Sequence, residues 1–520
     1  MINDSISLIP LDNRPYTLYT PEQIGRIGGV TVRTPPRELL GNYFEPGSPE
    51  EIGEWWSKEA SRTAASIVAV PMLAYGGLIC SRYGSGITVQ QAKERLQVIR
   101  RIREQYPDHP IYAFDTITRL ATSPTRDYPG SLSNKIREWS ILKDKVEHAG
   151  MDHLKNSLAA VEAIIPQELR DDYLQARLRN VEVNQLMIEW VKEGIIDFLI
   201  IGQDDAEPYG LHRPERNKLL ERIRAYGLGS KIKLFPGADV VASLLIAKRI
   251  TESFAASPSV YVEYSRKHGD EWIAPFQDIV YSKVVGHYIE LLGGSVVPDP
   301  NQADLILMAN TAGTQSVEPF ADRIRDFMAG GRHVAIGDDA RPGISDPELV
   351  SHLRQKIRFA DLFGYSGWNI GVSIAQSVVR WTLLDTSREQ DKGLLLLSAK
   401  SHAELLLEAL AHEEAYRNHV REGAAALARS LGDDPQRLQN GYEAVNAYAS
   451  EHTKPLGDCW YETHFAGRKL PLKKTGSQYE YAVIRRLNGW RLALPWNRTA
   501  ELEAFPELTV CELAENQTGF

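Results

Sequence analysis

IIDFLIIGQDDAEPYG, residues 195–210, is the stretch from which the fold is read. An apolar run from Ile195 to Ile201 without polar alternation reads as a strand buried on both faces, as in parallel α/β sheets. It stops at two adjacent carboxylates, Asp204 and Asp205, bracketed by Gly202 and the turn-forming Pro208-Tyr209-Gly210. Parallel sheets and barrels do their chemistry at the carboxyl ends of strands. The two acids are therefore the expected centre of the site.

The same punctuation recurs on both sides. SISLIP (5–10) runs into Asp12-Asn13-Arg14, and ASIVAV (65–70) runs into Tyr75-Gly76-Gly77 with Arg82 beyond. IYAF (111–114) ends at Asp115, with Arg119 a few residues on, and IKLF (232–235) leads to Asp239. ADLILMA (303–309) ends at Asn310-Thr311, residues 333–336 at Gly337-Asp338-Asp339, and residues 362–365 at Ser366-Gly367-Trp368-Asn369. VTVR (30–33), VYVEY (260–264) and GSVV (294–297) read as minor strands. A helix from Thr88, its N-cap, carries Ala92, Leu96, Ile99 and Arg103 on one stripe. Eight strong strands, each followed by polar residues, have the rhythm of an inserted (β/α)₈ barrel over residues 1–385. Segments near 131–193 and 255–300 would be inserted, and 386–520 would form a helical and mixed C-terminal region. The alternative is two doubly wound α/β domains divided near 250–260.

At 520 residues and 43% hydrophobic, the composition is that of a soluble globular protein. A net charge of −9 argues against nucleic-acid or anionic-membrane partners, which need a basic face. No apolar window is long enough to span a bilayer, and no secretory signal is seen. Cys80, Cys459 and Cys511 are scattered and odd in number, as expected of a reducing cytoplasm. Motifs for P-loops, dinucleotides, serine esterases and zincins are missing.

PLDNRP (10–15), PMLAYGGLICSR (71–82), GQDDAEPYG (202–210), GDDARPG (337–343), YSGWN (365–369) and LPWNRT (494–499) together resemble the bacterial DUF4127 family, a domain of unknown function. That resemblance brings no activity with it. A looser likeness is to barrel hexosaminidases of the O-GlcNAcase kind, which carry an Asp-Asp pair after the fourth strand. It implies that Asp204 orients a substrate acetamido group and Asp205 is general acid and base.

Glycoside hydrolysis needs one carboxyl kept protonated and a second group that stays ionised. Adjacent acids push their pKa values apart, which suits Asp204 and Asp205 to the task, although either could simply cap a helix. Arg14, Arg82 and Arg119 would bind substrate or hold the acids. Asp12, Asp115, Asp239, Asn310, Asp338 and Asp339 are candidate hydroxyl binders. Tyr75 with Gly76 and Gly77 would let a ligand approach the backbone closely. Trp368 is a stacking platform, with Asn369 beside it. His212 could assist proton transfer, and Trp460, Tyr461, Trp496, Asn497 and Arg498 could line the site from the tail. The expected protein is a cytoplasmic glycosidase acting on a small amino-sugar carbohydrate without a cofactor, self-association into a homo-oligomer being compatible. The rivals are a magnesium- or manganese-dependent hydrolase or isomerase, with Asp204, Asp205, Asp239 and Asp338 as ligands, and a sugar-binding protein without turnover.

Overall fold

The expected strong strands all form, but in two sheets rather than one ring. The computed structural model describes residues 5–123, 130–385, 391–475 and 478–513. β1 (Ser5–Ile9), β2 (Thr31–Arg33), β3 (Ala65–Ala69), β4 (Ile111–Ile117), β5 (Phe198–Gln203) and β6 (Ile232–Pro236) make a sheet in the order β2-β1-β3-β4-β5-β6. β7 (Ser259–Tyr264), β8 (Ser295–Val296), β9 (Leu305–Asn310), β10 (Val334–Asp338) and β11 (Gly364–Ser366) make a second, in the order β11-β10-β9-β7-β8. Neither sheet closes on itself among the described residues, so the single barrel gives way to the doubly wound alternative.

The physical reason lies at β6. A barrel would carry β6 onward to pair with a seventh strand, yet β6 is an edge whose Lys233 is exposed. The next strand instead pairs in parallel with β8 and β9. The two sheets share one winding rule. From β1 the chain moves to β2 on one side and then to β3 on the other; from β7 it moves to β8 and then to β9. This is the flavodoxin-like order, and its ligand crevice lies where the winding reverses, between β1 and β3 or between β7 and β9.

The chain forms two compact units. The first comprises Met1–Leu18, Val32–Leu245 and Pro275–Ile279. Its central strands are buried from end to end, as uninterrupted apolar runs should be when helices cover both faces. The Val89–Gln105 helix begins with a full capping box between Thr88 and Gln91, and its buried stripe includes Ala92, Leu96 and Ile99.

The second unit comprises Tyr19–Thr31, Ile246–Ala274 and Val280–Phe520. Ile306 and Ile336 of its sheet share one core with Leu353, Leu406, Trp460 and Ile484. The tail supplies an antiparallel sheet, β12 (Lys469–Thr475), β13 (Gln478–Ala493) and β14 (Glu503–Glu512), in that order. A helix begins at Lys392, widens to π geometry over Leu410–Val420 and returns to α over Arg421–Ser430. π-Helices are rare and gather at functional sites.

Candidate functional site at the strand ends

In the first unit, carboxylates at the strand ends are met by guanidinium groups. Asp12, just past β1, accepts from the Arg14 backbone N–H (3.0 Å) and from the Thr17 hydroxyl (2.6 Å) through Oδ1. The Arg14 Nη2 bridges Asp12 Oδ2 at 2.7 Å and Asp239 Oδ1 at 2.8 Å. Three strands separate β1 from β6 in the sheet, so this bridge draws distant strand ends together. Burial pushes the Asp12 carboxyl up, but the charge and hydrogen bonds of Arg14 outweigh it and hold the group below its ordinary range. Asp239 keeps 36% of its side chain open. Burial raises its pKa, Arg14 opposes this, and the charges of Asp12 and Asp204 add to the rise, leaving it above the ordinary value.

Asp204 and Asp205 each meet a different arginine. Asp204 is buried and takes Arg82 Nη2 at 2.7 Å and Nε at 3.2 Å, while Arg82 Nη1 donates to Ser123 Oγ at 2.9 Å. Asp205 sits at φ +43°, a left-handed conformation uncommon outside glycine, and pairs with Arg119 Nη1 at 3.2 Å. Its side chain is 39% exposed, so it is the accessible member of the two.

Other expected contributors are turned inward. Gly76 and Gly77 have positive φ, but a Cβ on Gly76 would lie 2.7 Å from Pro46 Cβ, so the close approach there is made by the chain itself. Tyr75 is buried with Arg179 stacked 4.3 Å from its ring centroid. Asp115 is buried, bonded by Thr116 N–H (2.8 Å) and Asn184 Nδ2 (2.7 Å), and burial raises its pKa to about 7. His212 is buried near Asp278, 3.9 Å away. Burial and the charges of Arg177, Arg216 and Arg213 lower its pKa to about 3, so it is neutral and does not carry protons near neutral pH.

The second unit assembles its own group. Asp338, the last residue of β10, is fully buried and accepts from Asn310 Nδ2 (2.8 Å) and from the Asp346 N–H (2.6 Å). Burial lifts its pKa to about 8, with Asp346 and Asp339 adding to the rise. Asp339 accepts from Tyr281 Oη (2.7 Å) and Asn369 N–H (2.6 Å), and burial raises it too. Trp368 and Asn369 are half-buried after β11, Asn369 with φ +80°. The π-helical stretch packs on these loops: Glu413 accepts from Gly367 N–H, and Asn418 Nδ2 donates to Ser345 O at 3.1 Å. Trp460, Tyr461 and Trp496 are core residues of this unit, and Arg498 pairs with Glu501.

Residues 131–193 are helical in period, and the helix Gln167–Lys192 forms there, but no residue of it was among the expected site residues; it lays a polar stripe under the first unit's loops. Arg177 donates to the carbonyls of Thr118 and Arg119 (both 2.8 Å) and pairs with Glu215 at 2.6 Å. Asn180 holds Ser81 O and Thr118 Oγ1, and Asn184 holds Asp115. The signal was available: polar residues at 177, 180 and 184 share one face of a helix. Among the described residues no group of three or more His, Cys, Asp or Glu side chains is placed to hold a metal ion. The same residues include no helix long and apolar enough to cross a membrane.

A family model described as "Protein of unknown function (DUF4127)" matches residues 6–504, and the chain belongs to that family. No curated protein and no solved structure matches the chain.

Proposed function

We propose that this DUF4127 protein is a glycosidase-type hydrolase working at the strand ends of its first sheet, with Asp239 as general acid and Asp205 as the second carboxylate. The observation that carries the reading is the state of Asp239. It is a partly open carboxyl with its pKa raised, set beside two arginine-bound acids. Glycosidic cleavage asks for a carboxyl that still holds its proton when the leaving oxygen needs it. Asp205 pairs with Arg119 and remains open enough to meet a sugar ring. Asp204, enclosed by Arg82, adds its charge to the burial that raises the Asp239 pKa rather than touching an acetamido group. Preference for an N-acetylated sugar therefore becomes a question for the assay.

The test is release of chromophore from α- and β-glycosides, N-acetylated and plain, with and without chelator. Turnover that survives chelator should fall about a hundredfold or more in Asp239→Asn and in Asp205→Asn. The rate should also decline as pH rises through the raised pKa of Asp239. Absence of turnover on every glycoside, or rates indifferent to both substitutions, would refute the proposal. A ligand-induced rise in melting temperature without product would move the protein to the binding class.

A further inference from the structure

Arg266, two residues past the end of β7, is 7% exposed, and its Nε and Nη1 have no hydrogen-bond partner among the described residues. Other buried arginines of the chain are bonded: Arg177 to Glu215, Arg82 to Asp204 and Arg380 to Ser398. Thr311, the first residue after β9, is fully buried, and its Oγ1 also lacks a partner among those residues. The two belong to one small construction. The Thr311 N–H donates to Ser265 Oγ at 2.9 Å, tying the end of β9 to the residue before Arg266. Two glycines make the room. A Cβ on Gly313 would stand 2.9 Å from Arg266 Cγ and 3.2 Å from its Nε; one on Gly269 would stand 2.7 Å from Thr311 Oγ1. Around this core Lys267 and residues 312–316, the Gly-, Thr- and Ser-containing turn after β9, are exposed.

The location adds an independent argument. β7 and β9 are the neighbours between which the winding of the second sheet reverses, where open α/β sheets take their ligands. A guanidinium taken out of water without a counter-charge is costly, and an oxyanion that presents two oxygens is the group that repairs it with paired N–H bonds. We propose that the β7–β9 switch point binds the phosphoryl or carboxylate group of a small ligand, with Arg266 giving the fork and Thr311 a hydroxyl. This site is separate in sequence and sheet from Asp239 and Asp205, and its test does not depend on glycoside turnover.

Full-length protein is titrated with inorganic phosphate and with malonate, against sodium chloride at matched ionic strength, by thermal melting and calorimetry. At least one oxyanion should bind saturably and raise the melting temperature beyond chloride. The stronger of the two identifies the group as phosphoryl or carboxylate. Arg266→Met should lose about tenfold or more in affinity. In chloride alone Arg266→Met should melt at or above the wild type, because it removes an unpaired buried charge. Thr311→Val should keep its melting temperature and bind more weakly than wild type. The proposal is overturned by no saturable response to either anion, or by equal responses in wild type and Arg266→Met. It is equally overturned if Arg266→Met melts well below wild type in chloride while Thr311→Val binds normally.

Discussion

The two sheets wind the same way and end in the same kind of residue, yet their carboxylates are held by opposite means. At the first sheet, Asp12, Asp204 and Asp205 each meet an arginine. At the second, Asp338 and Asp339 are held by an amide, a phenol and backbone N–H groups, and burial pushes both pKa values up. Asp338 of the second sheet is thus a proton store, whereas Arg14 holds Asp12 of the first below its ordinary range. An arginine alone does not settle the matter: Asp239 also meets Arg14, yet burial and the charges of Asp12 and Asp204 leave its pKa raised. Asp115, bonded by neutral donors, has a raised pKa, about 7.

The largest effect should come from breaking an arginine pair. Arg82→Met leaves Asp204 enclosed and unpaired, and unfolding measurements should show a loss of about 3–5 kcal/mol. Adding Asp204→Leu should restore most of it. A cost below about 1 kcal/mol for Arg82→Met would mean that the first sheet's carboxylates do not need their arginines.

Next come the glycines of the two matching strand ends. A Cβ on Gly202 would stand 2.2 Å from the Gly237 carbonyl oxygen, and one on Gly337 would stand 2.2 Å from Cγ1 of the Ile370 side chain. The Cγ1 and Cδ1 of Ile370 can rotate away, leaving its Cβ at 2.8 Å to be met by a small shift, whereas a backbone carbonyl at 2.2 Å cannot move aside. Gly202→Ala should therefore cost about 3 kcal/mol or more, and Gly337→Ala about 1–2 kcal/mol. Melting of both variants in parallel tests this, and equal costs would count against it.

Asp338 gives a graded effect. Its folded pKa of about 8 lies above the ordinary 3.8, so between those values the folded chain keeps a proton that the unfolded chain has released. Stability falls as pH rises through this window, by about 1.4 kcal/mol per pH unit for one group. Asp338→Asn should remove that slope, and melting curves recorded from about pH 5 to about pH 8 would reveal it. An unchanged slope would remove the proton store from the comparison.

Smallest is Arg119→Ala. Its pair with Asp205 is partly open to water, so stability should change by about 1 kcal/mol or less. A larger change would place Arg119 among the structural arginines with Arg82.

The strands were legible because buried parallel strands are unbroken apolar runs. SISLIP, ASIVAV, IYAF, IKLF and ADLILMA sit where β1, β3, β4, β6 and β9 form. Their order was not legible, because it turns on the weakest strands. β2 is three residues and β8 only two, both largely exposed, so neither leaves a strong hydrophobic pattern. Yet these two fix the direction in which each sheet winds. At the site, the residue types at strand ends were readable, but their pairing was not. Which acid meets Arg14 depends on a contact 225 residues away, and no local pattern encodes it. The π stretch escaped as well, since LAHEEAYRNHV has ordinary helical composition.

The path of the chain also bears on how the protein is made. The helix Tyr19–Ile27 is made well before its partners: Ser398 Oγ donates to Ile27 O, a partner 371 residues later, and Phe505, which stacks on Tyr19 at 3.7 Å, comes later still. At about 5–20 residues per second the helix waits roughly 20–70 s for Ser398 to be synthesised. The first unit, whose sheet is finished by residue 236, does not share this delay.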